Sequence, residues 1–202
     1  MRMKSLALAV TLAAAAWSGM AAASVAPNAS GTLTADNEFW LYTGNLTGSN
    51  LQFVGEGHNW TVPVTLNFHV NPGDYLYVLA HDTGLPHSWQ GTFSTPVGVI
   101  NTNATDWVGA NVGNTTTVTA ALIAGATFGA IGSDLPYNWG TWGSRVGSTG
   151  ADWIWTSGTY SSDMTALFRT AAPVSAVPVP AAFALMAPAL GLLGAARRRR
   201  AA

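Results

Sequence analysis

The chain has 202 residues, of which 8% are charged and none is cysteine. Its formal net charge of −1 hides an uneven distribution, because the central section, residues 24–176, carries two arginines against nine acidic residues, a formal charge of −7. Proteins that bind nucleic acids neutralise phosphates with a basic surface, so this section excludes that class of protein. Without disulfides, a domain of about 150 residues is held together by its own hydrophobic core.

The first 23 residues have the layout of a secretory signal peptide. Arg2 and Lys4 give a positively charged start, residues 6–17 form an apolar centre, and three alanines at 21–23 form a cleavage site before Ser24. We therefore expect the protein to be exported. Residues 24–31 then form a polar lead-in to the folded domain.

The first half of the central section predicts several strands. Residues 32–42 read as one strand with a kink at Asp36 and Asn37, and 51–54 as a short second strand. Apolar residues alternate through 64–70, which predicts a strand with one buried face. Residues 75–80 are apolar on both faces, which predicts a central strand or one with a covered outer face. Since only an Asn-Pro-Gly-Asp turn separates these last two strands, we expect them to form a hairpin that anchors the core.

The second half continues with short strands and turns. Strands are predicted at 91–94, 98–100, 105–108, 153–155 and 165–170, with an aromatic loop at 135–150. Residues 115–122 are β-branched and read as a strand, with a short helical turn at 120–126 as the alternative. Strands spaced about 8–12 residues apart predict an all-β fold, a single β-sandwich or barrel spanning residues 32–172.

Several fragments of this section resemble the galactose-binding-like jelly rolls. They are Ala-Asp-Asn at 35–37, Pro-Gly-Asp-Tyr-Leu-Tyr-Val at 72–78, Trp-Gln-Gly-Thr-Phe at 89–93, Asn-Ala-Thr-Asp-Trp at 103–107 and Ala-Asp-Trp-Ile-Trp at 151–155, with Phe168 and Arg169. The resemblance implies a jelly-roll β-sandwich of a kind that often sits on cell surfaces and often binds carbohydrate. Such folds host many ligands, so the site has to be argued from its own residues.

The residues do not favour catalysis. His81, Asp82 and His87 lie close in sequence, but no third ligand stands at a spacing typical of zinc sites, so we interpret them as a polar loop with solvated histidines. There is no Gly-x-Ser-x-Gly motif, and we predict that the protein is not an enzyme. The oxygens of Asp36, Asn37 and Asp82 suit a structural calcium ion, while turn chemistry accounts for the same residues without one.

Carbohydrate binding is the function that the aromatic residues favour. Tyr137, Trp139 and Trp142 lie among Gly, Asn and Ser, where flat rings with neighbouring polar groups can stack on a sugar. Trp89, with His87, forms a second candidate cluster. The alternative is that these rings fold back and pack over an end of the sandwich.

The end of the chain resembles a bacterial sorting signal. The motif at residues 177–180 is Val177, Pro178, Val179 and Pro180, and Ala181 follows it. Residues 181–196 are uncharged. They are followed by a basic cluster of Arg197, Arg198, Arg199 and Arg200. An apolar helix followed by arginines stops in the membrane with its basic end in the cytoplasm.

This segment, within residues 173–202, is similar to the PEP-CTERM class, closest to the variant that reads Val-Pro-Leu-Pro-Ala, with Val179 in place of Leu. The resemblance implies processing by an exosortase-like enzyme at the motif, after which the passenger is released or attached at the cell surface.

Two functions follow from these features. In the first, the protein is transiently anchored in the membrane and then becomes a surface or extracellular module that binds exopolysaccharide without catalysis or a cofactor. In the second, it is a structural or adhesion protein of the cell surface or biofilm matrix, acting through protein contacts without a small-molecule ligand.

Overall fold

The computed structural model describes residues 25–84, 86–133, 142–148, 150–156 and 163–176. Within these ranges the chain forms eleven strands and one helix. They are β1 (Ala29–Asp36), β2 (Glu38–Gly44), β3 (Gln52–Gly57), β4 (Val64–Phe68), β5 (Tyr75–Asp82), β6 (Ser88–Thr95), β7 (Gly98–Asn101), β8 (Trp107–Asn111), α1 (Ala120–Gly125), β9 (Ile131–Ser133), β10 (Ile154–Thr156) and β11 (Met164–Thr170). The predicted signal peptide and the sorting segment from residue 177 onward lie outside the described residues.

The strands form two antiparallel sheets that pack against each other as a β-sandwich, which confirms the all-β prediction. The first sheet has the order β4-β1-β6-β10-β9, with β7 also paired to β6. The second has the order β3-β2-β5-β11-β8. The shared core contains large side chains from both sheets, including Trp89, Phe93, Trp107, Trp155 and Phe168, all at most 1% exposed.

The predicted kink at Asp36 and Asn37 is the point where the chain passes from one sheet to the other. β1 ends at Asp36 in the first sheet and β2 begins at Glu38 in the second, and the peptide bond between Asp36 and Asn37 is cis. At its other end β1 begins at Ala29, so the strand includes three residues assigned to the lead-in.

β5 is buried on both faces, as its sequence predicts. Leu76 and Val78 point into the core between the sheets, whereas Tyr77 and Leu79 point to the outer face of the second sheet. That outer face is covered by the segment that contains α1, through Ile123 and its neighbours. A strand covered on both sides belongs in the middle of a sheet, and β5 is the third of five strands.

The predicted hairpin between residues 64–70 and 75–80 is wrong, although the turn is correct. The Asp74 N–H donates to the Asn71 carbonyl at 3.0 Å and Gly73 has φ of +82°, so the turn forms. It joins the two sheets, because β4 pairs with β1 in the first sheet and β5 pairs with β2 and β11 in the second. The physical reason is burial: β4 exposes one face and lies at an edge, whereas β5 requires a neighbour on each side.

The strand predicted for residues 115–122 is also wrong, and the helical alternative is confirmed. α1 begins after Thr119, whose side-chain oxygen accepts a hydrogen bond from the Leu122 N–H at 3.1 Å. A threonine before an apolar turn is an N-cap, and this local bond competes with an extended conformation. Among the described residues, no helix is long and apolar enough to cross a membrane.

Candidate functional site

One surface cluster of the described residues is built from indole rings. Trp142 stacks on Trp60 with 4.6 Å between ring centroids and 22° between planes, and Trp153 meets Trp142 edge-on at 5.2 Å and 78°. Trp60 and Trp142 are partly exposed, whereas Trp153 is 3% exposed. We call Trp60, Trp142, Trp153 and the adjacent Arg145 the indole cluster. Of the three loop aromatics predicted from sequence, Trp142 belongs to it, and Tyr137 and Trp139 lie outside the described residues.

Polar residues on the first sheet hold the two loops of the indole cluster in place. The hydroxyl of Thr34 on β1 donates to the Trp60 carbonyl at 2.8 Å, which fixes the loop between β3 and β4. Gln90 on β6 accepts from the Arg145 N–H at 2.8 Å and donates to the Ala151 carbonyl at 2.7 Å. Gln90 is 2% exposed, so these bonds define the position of the second loop, the one that contains Trp142 and Arg145.

Hydrogen bonding inside the second loop orients one further ring. The indole N–H of Trp153 donates to the Gly143 carbonyl at 3.0 Å. Gly143 has φ of +60°, a left-handed conformation that glycine adopts without strain. The buried ring of Trp153 therefore packs against Trp142 while its indole N–H is hydrogen-bonded.

Arg145 adds a positive charge to the cluster. Its guanidinium carbon lies 5.0 Å from the centroid of the Trp60 ring, within the range of a cation–π contact. Within the described part of the chain it forms no ion pair with a carboxylate, and its Nε has no hydrogen-bond acceptor. The cluster thus combines partly exposed aromatic surface with a cation whose charge is not neutralised by a described acidic residue.

Trp89, the second carbohydrate candidate, does not lie at the surface. It is 0% exposed and packs edge-on against Trp107 with 4.8 Å between ring centroids, because it alternates with Gly91 and Phe93 on the inner face of β6. It is therefore a core residue and cannot stack on a sugar. His87 is also buried, at 1% exposed, and His81 and Asp82 lie in β5, so the interpretation of these residues as a loop with solvated histidines is wrong.

His87 belongs to a buried polar group at one end of the sandwich. Its Nδ1 lies 3.1 Å from Oδ2 of Asp82, and its ring stacks on Trp155 with 5.4 Å between centroids. Burial raises the pKa of Asp82, although the hydrogen bond from the Gly84 N–H and the neighbouring His87 act in the opposite direction. Burial and the Asp82 charge raise the pKa of Asp36 to about 6.

The three calcium candidates lie around this group. The Asn37 side-chain oxygen accepts two bonds from Thr83, at 2.8 Å each, and Oδ1 of Asp82 accepts a hydrogen bond from the Gly84 N–H. Asp36 accepts from the Asn37 side chain at 2.8 Å. Oxygens that already face donors fit a calcium ion poorly, so the geometry favours the turn interpretation. No group of three or more His, Cys, Asp or Glu residues suited to a metal was found in the described ranges.

A second polar group lies on the outer face of the second sheet. His58 contacts Glu38 at 3.1 Å and Glu56 at 3.3 Å, and His81 contacts Glu38 at 3.5 Å and Asp163 at 2.9 Å. Hydrogen bonds to the two glutamates raise the pKa of His58, with Glu56 the larger contributor. Hydrogen bonds from His81 and Asn114 lower the pKa of Asp163. The histidines and carboxylates alternate, so each histidine lies between two carboxylates.

Sequence reasoning missed Trp60 and Arg145. The signal for Trp60 was available: it lies between Asn59 and Thr61 in a segment between two strands, the same polar setting that singled out the loop aromatics. Arg145 could have been noticed as one of only two basic residues in the central section. Comparison of the chain with known protein families, curated proteins and solved structures finds no match. The class of protein is thus defined by the fold alone, a β-sandwich with an indole cluster on its surface.

Proposed function

We propose that the protein is an exported surface or extracellular-matrix protein whose β-sandwich is a non-catalytic carbohydrate-binding module for extracellular polysaccharide. The observation that carries the proposal is the stacked, partly exposed pair of Trp60 and Trp142 in the indole cluster. As part of this proposal, the sandwich is a galactose-binding-like jelly roll, in agreement with the fragments that resemble that family.

The chemistry of the indole cluster supports sugar binding. The C–H face of a pyranose is apolar and packs on an indole ring, while its hydroxyls require polar neighbours. Ser144 lies beside Trp142 and Asn59 beside Trp60, and both are exposed. Because buried Gln90 holds the loop of Trp142, the rings are ordered before a ligand arrives, which lowers the entropic cost of binding.

The same site supports binding without catalysis. The described side chains of the indole cluster are three indoles and one guanidinium. Neither group exchanges a proton near neutral pH, so neither acts as a general acid or base. The proposal therefore assigns no reaction to this cluster.

The ends of the chain support export and sorting. The signal-peptide layout of residues 1–23 provides entry to the secretory route. The apolar residues 181–196 and the four arginines after them provide a temporary membrane anchor, and the motif at 177–181 is the processing site for an exosortase-like enzyme. Substituting Pro178 and Pro180 with alanine tests this part: the longer, unprocessed protein is expected to accumulate in the membrane fraction.

The binding function is tested with the exported protein on a polysaccharide array. Trp60→Ala, Trp142→Ala and Trp139→Ala are compared with wild type, and Phe53→Ala is the matched control because Phe53 is a 56% exposed aromatic residue on the other sheet. We expect binding to fall in the indole variants and to persist in Phe53→Ala, with thermal unfolding measured for each. Failure of wild type to bind any glycan, together with self-association, would instead support the structural or adhesion function.

A further inference from the structure

We infer that Arg145 makes the indole cluster selective for acidic polysaccharides, those whose sugar rings carry carboxylates. This inference rests on the proposed carbohydrate-binding function and names the substrate class of that site. It starts from a contrast between two side chains, since Arg145 and Arg169 are the only basic residues other than histidine in the central section of the chain.

Arg169 packs against two aromatic rings, although its Nε, like that of Arg145, has no hydrogen-bond acceptor among the described residues. Its guanidinium carbon lies 5.2 Å from the ring centroid of Tyr75 and 4.7 Å from that of Phe128, so aromatic rings contact it from two directions. It also interacts with the hydroxyl of Tyr77. Arg169 therefore belongs to the packing that covers the outer face of the second sheet.

Arg145 has a different environment. Among the described residues it contacts one ring, that of Trp60, and it is partly exposed at a cluster in which Trp60 and Trp142 are also partly exposed. Its main chain is fixed by Gln90, and among the described residues its guanidinium forms no ion pair with a carboxylate. Arg169 forms no such ion pair either, so the difference between the two arginines is position: Arg145 lies beside the partly exposed rings of Trp60 and Trp142, where an anionic group of a bound sugar would meet it.

The geometry of a guanidinium matches a carboxylate. Two parallel N–H groups donate to the two oxygens, and the bond is stronger than one between neutral partners. A uronic acid presents an apolar ring face and a carboxylate on the same residue. Stacking on the indoles together with a bond to Arg145 would therefore recognise both features of one sugar.

The charge of the domain makes Arg145 decisive for such a ligand. With a formal charge of −7 between residues 24 and 176, the domain as a whole repels a polyanion. Binding of an acidic polysaccharide then depends on a positive charge at the binding site itself. Removing that one cation is expected to affect acidic and neutral glycans differently.

The test uses alginate and polygalacturonate, each paired with the same polymer after esterification of its carboxylates. Binding of the full exported protein to each is measured at low and high salt. We expect wild type to bind the acidic forms about tenfold more tightly than the esterified forms, the scale of one charge-assisted bond. That preference is expected to shrink at high salt.

Three variants separate the possible outcomes. Arg145→Gln is expected to bind the acidic and esterified forms equally. Arg145→Lys is expected to keep part of the preference for the acidic forms. Arg169→Gln removes the same charge elsewhere and is expected to keep all of that preference. Equal binding of acidic and esterified forms by wild type, or binding to neutral glycans alone, overturns the inference while leaving the proposed function intact. Binding to no glycan at all overturns both. If Arg145→Gln lowers the thermal stability, Arg145→Lys carries the comparison.

Discussion

Nδ1 of His87 lies 3.1 Å from Oδ2 of Asp82 inside the sandwich, where the two side chains are 0% and 2% exposed. A contact of the same length joins His58 to Glu38 on the surface, where His58 is 51% exposed. One contact is buried and the other is exposed to solvent, and of the two only the surface contact has hydrogen-bond geometry.

The first prediction concerns this pair. Replacing His87 with alanine removes the imidazole beside the buried Asp82 carboxyl group and leaves a cavity beside Trp155, so we expect the free energy of unfolding to fall by about 3 kcal/mol or more. The matched His58→Ala change is expected to cost less than about 1 kcal/mol, because water screens the surface contact. Urea denaturation of both variants measures the difference. Equal losses would contradict the assignment of His87 to a buried polar group.

The second prediction concerns the pH dependence of stability. The pKa of Asp36 is raised from 3.8 to about 6 by burial and by Asp82. Between these two values the folded protein holds a proton that the unfolded chain has lost, so Asp36 lowers the stability as the pH rises from about 4 to about 6. The penalty is complete above pH 6 and absent below pH 4.

Asp36→Asn removes this penalty and retains an oxygen that can accept the bond from Asn37. We therefore expect the variant to gain stability relative to wild type between pH 4 and pH 7, by on the order of 1 kcal/mol after allowing for partial exposure. Denaturation midpoints across this pH range measure the effect. A stability difference that stays constant from pH 4 to pH 7 would contradict the raised pKa.

The burial of individual strands could be predicted from sequence, because it depends on the local pattern alone. Residues 75–80, apolar on both faces, do form a strand covered on both sides, and the Pro-Gly turn before it forms as expected. The pairing of strands could not be predicted in the same way. β5 pairs with β11, far along the chain, and local alternation contains no information about such a partner.

The same limit applies to the indole cluster. Loop composition is sufficient to single out Trp142, but its contact with Trp60 depends on how two distant loops are placed by the sheets. Trp89 illustrates the opposite case. Its alternation with Gly91 and Phe93 is visible in the sequence and indicates an inward-facing ring, and this pattern outweighs the polar residues nearby.

The third prediction concerns the close contact between two neighbouring strands. Gly31 on β1 is paired in register with Phe93 on β6, and a Cβ atom at Gly31 would overlap the ring of Phe93. Because Phe93 is fully buried, the ring cannot move away, and we expect Gly31→Ala to cost about 1–3 kcal/mol. Gly129→Ala is the control, since a Cβ atom at Gly129 would meet nothing within 4 Å. Thermal unfolding of both variants tests the expectation, which fails if the two melt together.

The fourth prediction concerns the polar group on the outer face of the second sheet. Glu56 and Glu38 both raise the pKa of His58, so its imidazole should titrate above 6.5, as NMR chemical shifts can measure. Glu38 contacts the imidazoles of both His58 and His81, whereas among the described contacts Glu56 contacts His58 alone. We therefore expect Glu56→Gln to lower the His58 pKa more than Glu38→Gln does, and only Glu38→Gln to disturb the His81 resonance. The reverse order of the two effects would mean that the shorter 3.1 Å contact with Glu38 dominates.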